Sequence, residues 1–178
     1  MFFGFGAKAA IFPFHNWLPT AGVAPTPVTA LLHAVAVVKS GVFAIIRLSY
    51  FSFGAQFLTD TKVQKIALTF VVITIMYGSV MAWREMHFKK RLAYSTMSNL
   101  SYMLLGIMLL TPAGLAAGLL HMVFHGVMKI TLFFIAGAVA CQSHRYYVSD
   151  LWGFGKKMPV TFAVFTVASL ALAGVPPL

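Results

Sequence analysis

Carboxylates are the scarcest functional groups in this chain of 178 residues: Asp60, Glu85 and Asp150 stand against 13 lysines and arginines. Charged residues make up 9% of the whole and hydrophobic ones 60%, whereas about a quarter of a soluble globular domain is charged. That composition excludes a water-soluble fold and points to a membrane protein. One helical crossing needs roughly 20 mostly apolar residues, so the length allows about five or six crossings and leaves no room for a soluble domain. Cysteine is nearly absent too. Cys141 alone cannot close an internal disulfide and is expected to be a small buried apolar residue. No basic run exceeds three residues, so the net charge of +10 reflects missing acids. No nucleic-acid partner is expected.

The N-terminus lacks the basic opening of a secretory signal. Its only charge, Lys8, sits inside the apolar stretch, and Pro13, His15 and Asn16 break the end of that stretch, so no signal peptide is expected. Residues 1–14 read as a half-length helix interrupted at Pro13. A second apolar stretch runs over 27–52, started by Pro25 and Pro27 where a helix loses no hydrogen bond. Further spans are expected at 65–83, 92–110 and 113–140. The last begins near 158 and reaches a proline break at Pro176 and Pro177. There is no low-complexity tract and no tandem repeat.

Loop charges set an orientation, because lysine and arginine accumulate on the cytoplasmic side of a membrane. Arg84, Lys89, Lys90 and Arg91 lie at 84–91, and Arg145, Lys156 and Lys157 at 141–157, so these two loops carry seven cations. They are two spans apart and therefore share a face. The opposite face has two, Lys62 and Lys65 at the 53–64 loop, and none in the 111–113 turn. Loops 84–91 and 141–157 are accordingly expected to be cytoplasmic.

The apolar segments also contain Lys8, His33, Lys39, Arg47, His121, His125 and Lys129. A cation at mid-bilayer costs about 3 kcal/mol or more and marks an ion path or a partner contact. Arg47 lies near a span end and can snorkel to the interface. His33 and Lys39 are six residues apart, about 240° round a continuous helix, and so are expected on different sides. Spacings of four place His121, His125 and Lys129 within about 80° on one helix face, over about 12 Å of rise.

Such a row suits a water-bridged proton path, since imidazole titrates near neutrality. No more than two of the three are expected to be charged together. A polar contact between helices, or a metal or haem site on the two histidines, remains open on spacing alone. Lys129 would oppose a metal cation, and no metal or other cofactor is expected. With no carboxylate in any span, Lys8 should find its counter-ion outside these residues.

The run Phe5-Gly6-Ala7-Lys8-Ala9-Ala10-Ile11-Phe12-Pro13-Phe14-His15-Asn16-Trp17-Leu18-Pro19, then Ala24-Pro25-Thr26-Pro27-Val28-Thr29-Ala30-Leu31-Leu32-His33-Ala34, carries a resemblance. So do Lys90-Arg91-Leu92-Ala93-Tyr94-Ser95-Thr96, the row His121 to Lys129, and the stretch Leu170 to Leu178. Together they resemble the antiporter-like subunits shared by respiratory complex I, Mrp-type cation/proton antiporters and membrane-bound hydrogenases. The resemblance implies an all-α polytopic transmembrane bundle, part of two inverted five-helix repeats with proline-broken helices. Residues 1–52 would end the first repeat and 65–178 would begin the second, so the chain looks partial.

By the same resemblance, Lys8 is the broken-helix lysine of the first repeat, whose glutamate partner lies upstream. His33 and Lys39 belong to a bridging helix. His121, His125 and Lys129 belong to the central hydrophilic axis, and Pro13, Pro176 and Pro177 mark the helix breaks. The position two before Lys89, acidic in many relatives, is His87 here. The implied function is proton translocation as a non-redox subunit of a complex I-like NADH/quinone oxidoreductase, without a cofactor, among other membrane subunits in a bilayer of the bacterial inner-membrane type. An Mrp-type sodium/proton antiporter subunit and a non-conducting structural fragment are the alternatives.

Overall fold

The computed structural model describes residues 1–175 of the chain. Its helices are α1 (Phe2–Lys8), α2 (Trp17–Ala21), α3 (Thr26–Ala34), α4 (Val37–Ile46), α5 (Ala55–Leu58), α6 (Lys62–Arg84), α7 (Phe88–Met108), α8 (Pro112–Ser143) and α9 (Pro159–Ala173). Among the described residues there is no strand; a single antiparallel bridge joins His87 to Tyr147. The expected all-α transmembrane bundle is what the chain forms. Pro176 and Pro177, the second expected helix break, lie outside the described residues.

Local chemistry sets where the long helices begin. Thr61 accepts a hydrogen bond from the Gln64 backbone, and the Gln64 side chain accepts one from Asp60 N, so α6 starts in a near-reciprocal cap. Thr111 caps α8 through Gly114 N, with Pro112 at the first helical position. His87 caps α7 through Lys90 N. Among the described residues, three stretches are long and apolar enough to cross a membrane: Thr26–Ser52, Lys62–Arg84 and Pro112–Ser143. With 32 residues, α8 is about 48 Å long and outreaches a hydrocarbon core of about 30 Å.

The most polar of the long helices, α7, is the hub. It packs against α6, α8, α2, α4 and α3, and Leu92, Thr96, Ser98, Leu100, Ser101 and Leu104 are all buried on it. Neighbouring helices hide its hydroxyls from lipid, which is how a helix carrying so many of them lies within a bilayer. The outer faces are the reverse: Val72, Ile73 and Met76 of α6, and Val123, Phe124 and Val127 of α8, are exposed. Close approach of α7 and α8 rests on Gly106 and Gly114, where a Cβ on Gly114 would collide with the Gly106 carbonyl.

Three expectations require correction. The helix expected over residues 27–52 is broken at Val35 and Ala36, whose two N–H groups both bond to the Leu31 carbonyl, and it ends in a π-helical turn at Arg47–Ser52. The first helix stops at Lys8, well before Pro13. Residues 9–16 turn instead, with Ala10 at φ 57°, and dock on α6 through the bond from Phe12 N to Thr74 Oγ1, 3.0 Å. Cys141 is exposed, not buried, because it lies in the last turn of α8, at the end of the bundle.

The two basic segments do lie at one end, and they pair. Phe88 N donates to Tyr146 O (2.9 Å) and Val148 N to Met86 O (3.0 Å). Lys89, however, belongs to the first turn of α7 and points inward, 8% exposed, donating to the Ala24 carbonyl at 3.2 Å. The loop charge is smaller by that one residue.

Candidate functional site

The polar interior lies where α3 packs on α8 and the Lys39 side chain of α4 reaches it, with α7 behind. His121, His125 and Lys129 share one face of α8 as their spacing requires, and the rings of His121 and His125 have centroids 5.9 Å apart. His121 Nε2 lies 3.0 Å from Asn99 Oδ1 on α7. The Asn99 amide donates in turn to Ser95 O, at 2.9 Å. Lys129 is fully buried, its Nζ donating to the Leu92 carbonyl at 3.1 Å. All three acidic side chains stand in loops or at their edges, so this buried ammonium is met by a backbone dipole and not by a carboxylate.

The helix break at Val35 and Ala36 changes where its neighbours point. On an unbroken helix His33 and Lys39 would face different ways, but both meet α8. His33 stacks on Phe133 with ring centroids 4.8 Å apart. Lys39 Nζ fills the space beside Gly126, where a side chain would stand. His33 also lies within electrostatic reach of Lys129, and Lys39 of His121 and His125. The order inward from the basic end is therefore His33 with Lys129, then Lys39 with His125, then His121 with Asn99. From Lys129 to His121 the file spans about 12 Å, and its outer end is about one helical turn inside the start of α7.

Two rings in this file are orphans: neither nitrogen of His33 or of His125 has a hydrogen-bond partner, and both side chains are buried. Buried polar groups are nearly always bonded in folded proteins, so these four nitrogens are positions for a further hydrogen-bonding group. Among the described residues no group of three or more His, Cys, Asp and Glu side chains could hold a metal ion. Asn99 was not foreseen from the sequence. Nothing in its helical neighbourhood sets it apart, and only the packing of α7 on α8 places it against His121.

Lys8 stands apart from this group. It ends α1 in an exposed position beside an open cavity of about 560 Å³ that Pro13, Asn16 and Trp17 also line. Trp17 Nε1 donates to Ala7 O at 2.9 Å and holds the turn that follows Lys8. Arg47 is exposed, in keeping with a snorkelling role. His15 is buried between Phe12 and Tyr77.

Residues 1–178 match the family described as NADH:quinone oxidoreductase/Mrp antiporter, transmembrane. The chain belongs to this family. Among curated relatives of this antiporter family, it is 40% identical over 176 residues to NAD(P)H-quinone oxidoreductase chain 4-3 of a Nostoc species, an alignment covering 96% of this chain and 30% of that one. It is 38% identical to NAD(P)H-quinone oxidoreductase chain 4 1 of Synechococcus elongatus, covering 96% and 32%. Among solved structures, a chain of the Mrp complex from a Dietzia species superposes with a TM-score of 0.89 at 29% identity, over 99% of this chain and 32% of that one. A chain of respiratory complex I from Thermus thermophilus gives 0.87 at 27% identity, over 98% and 37%. The chain thus spans about a third of the length of the relatives it matches. It is an integral, multi-pass membrane segment of the family.

Proposed function

We propose that this segment moves protons across the membrane as part of an antiporter-like subunit of a complex I-like quinone oxidoreductase assembly. The observation that carries the proposal is the file of Lys129, His33, Lys39, His125 and His121, in which Lys129, His33 and His125 are buried and Lys39 and His121 half-buried. Its members have two orphaned imidazoles and no buried carboxylate beside them. The His121 and His125 ring centroids are 5.9 Å apart, a gap that a bridging water can span. A row of cations in a low-dielectric interior holds fewer charges than members, so a proton entering at one end favours release at the other. Asn99 fixes the His121 ring at the inner end, and the helix break at Val35 and Ala36 brings Lys39 into the row.

In this reading the protein sits in a bacterial inner membrane, with loops 84–91 and 141–157 in the cytoplasm and the file opening toward that side. Lys8 takes its counter-ion from a carboxylate outside residues 1–178. The segment ends one inverted repeat (1–52) and begins the next (65–178). It carries no redox group, and the driving force reaches it from neighbouring subunits. The likeness to the Mrp complex chain supports a second reading, in which a proton gradient drives sodium export.

Liposomes containing the complete assembly test both readings. Proton uptake should follow quinone reduction and fall in Lys129→Met without loss of the assembled complex. Proton movement that requires sodium and needs no quinol or NADH turnover would favour the second reading. Unchanged uptake in both Lys129→Met and His125→Phe would reject the file as the route.

A further inference from the structure

A cavity of about 610 Å³ opens on the flank of the bundle between α6, the start of α7, the 148–152 segment and α9. It borders the polar file, since Leu92 lines it and the Leu92 carbonyl accepts from Lys129 Nζ, but none of the file's own side chains lines it. Phe88, Leu92, Phe162 and Phe165 wall it with carbon, and Arg91 is the one charged side chain on its lining. No carboxylate lines it, so the half-buried guanidinium faces an aromatic chamber without an anion. Trp83 and Trp152, also on the lining, are 77% and 89% exposed. Tryptophans so placed belong at the headgroup level of a bilayer.

We propose that this cavity binds an anionic glycerophospholipid, with Arg91 on the phosphate and an acyl chain along the aromatic wall. Guanidinium suits a phosphate in a bidentate grip, and Ser95 is a further polar group within the cavity. The surroundings match an amphiphile. Val160 and Val164 on α9 and Val80 on α6 are exposed and apolar, as a flank that meets acyl chains would be. The end of the bundle that holds Arg91 is also where the basic loops lie, which draws anionic lipid to that leaflet. A protein segment covering the cavity would have to supply both an acid for Arg91 and apolar filling. A single lipid supplies both. The proposal does not depend on the proton path.

Photolabelling of the intact assembly tests it. The complex is stripped of lipid in detergent and placed in phosphatidylcholine vesicles containing a small fraction of phosphatidylglycerol with a diazirine in its acyl chain, or the same fraction of diazirine phosphatidylcholine. Peptides covering 82–95 and 148–165 should be labelled by the phosphatidylglycerol about fivefold more than by the phosphatidylcholine, the weight that one interfacial arginine carries. Arg91→Gln should bring the two to equality, and Arg91→Lys should keep most of the preference. Equal labelling of the unmodified chain by the two lipids overturns the proposal. So does the absence of label from these peptides, which would mean that protein fills the cavity. If Arg91→Gln fails to assemble, the ratio in the unmodified complex decides alone.

Discussion

Lys39 Nζ occupies the place that a side chain at residue 126 would take, against α8 and beside the Ala34 carbonyl. The lysine reaches that place because α3 and α4 are separate segments, and it stays there because residue 126 is glycine. A register set on one helix and a missing side chain on another together define the middle of the polar file.

Gly126→Ala should therefore push the ammonium aside while leaving the helices in place, since the atom displaced is the end of a flexible side chain. Stability should change by less than about 1 kcal/mol. Proton flux in the complete assembly should fall by about tenfold or more, as misplacement of a reacting group by about 1 Å can do. Gly4→Ala, where an added Cβ meets nothing within 4 Å, is the control and should leave flux unaltered. Equal flux in both variants would remove Lys39 from the route.

Lys129 and Arg47 offer a second contrast. The first is fully buried and the second exposed. Methionine approximates the packing volume of each side chain and deletes its charge. Lys129→Met should slow proton translocation by at least about tenfold, the factor that about 1.4 kcal/mol of barrier represents, and Arg47→Met should leave most of it. Pumping assays at matched expression decide, and equal losses would assign both residues structural roles.

His87 provides a pH dependence. Burial, then the charge of Lys90, hold its imidazole below the ordinary value of 6.5; Glu85 opposes this and Lys89 adds to it. The neutral ring caps α7 by accepting from Lys90 N. A lowered folded-state value means that the cap contributes fully above about pH 6.5 and is lost as the pH falls through that lowered value. Hydrogen exchange at the amides of residues 89–91, corrected for intrinsic rates, should be flat above about pH 6.5 and speed up as the pH falls below it. His87→Asn keeps a capping acceptor that does not titrate and should flatten the profile. An unchanged slope in that variant would place the sensitivity elsewhere.

The orientation can be read by labelling. With Cys141 replaced by serine, cysteines at Met86 and Lys157 should react with a membrane-impermeant maleimide in inverted vesicles and stay unlabelled in intact cells. The backbone bonds between the two loops require both positions to give the same answer. Labelling from outside would reverse the topology.

Residue chemistry alone determined that this chain lies in a membrane, because three carboxylates and so much apolar surface leave no soluble alternative. It also determined the positions of α6, α7 and α8 to within a few residues, since Thr61, His87 and Thr111 cap locally, and it placed His121, His125 and Lys129 on one face, since helical spacing is a local property. Tertiary structure decided the rest. Where the helix of His33 breaks depends on packing against α8, so only the fold shows that His33 and Lys39 share a side. Asn99 joins His121 across two helices whose relative height is set by Gly106 and Gly114. Lys89 turned from loop charge to buried carbonyl ligand for the same reason: the carbonyl it needs, on Ala24, is distant in the chain and near only after folding.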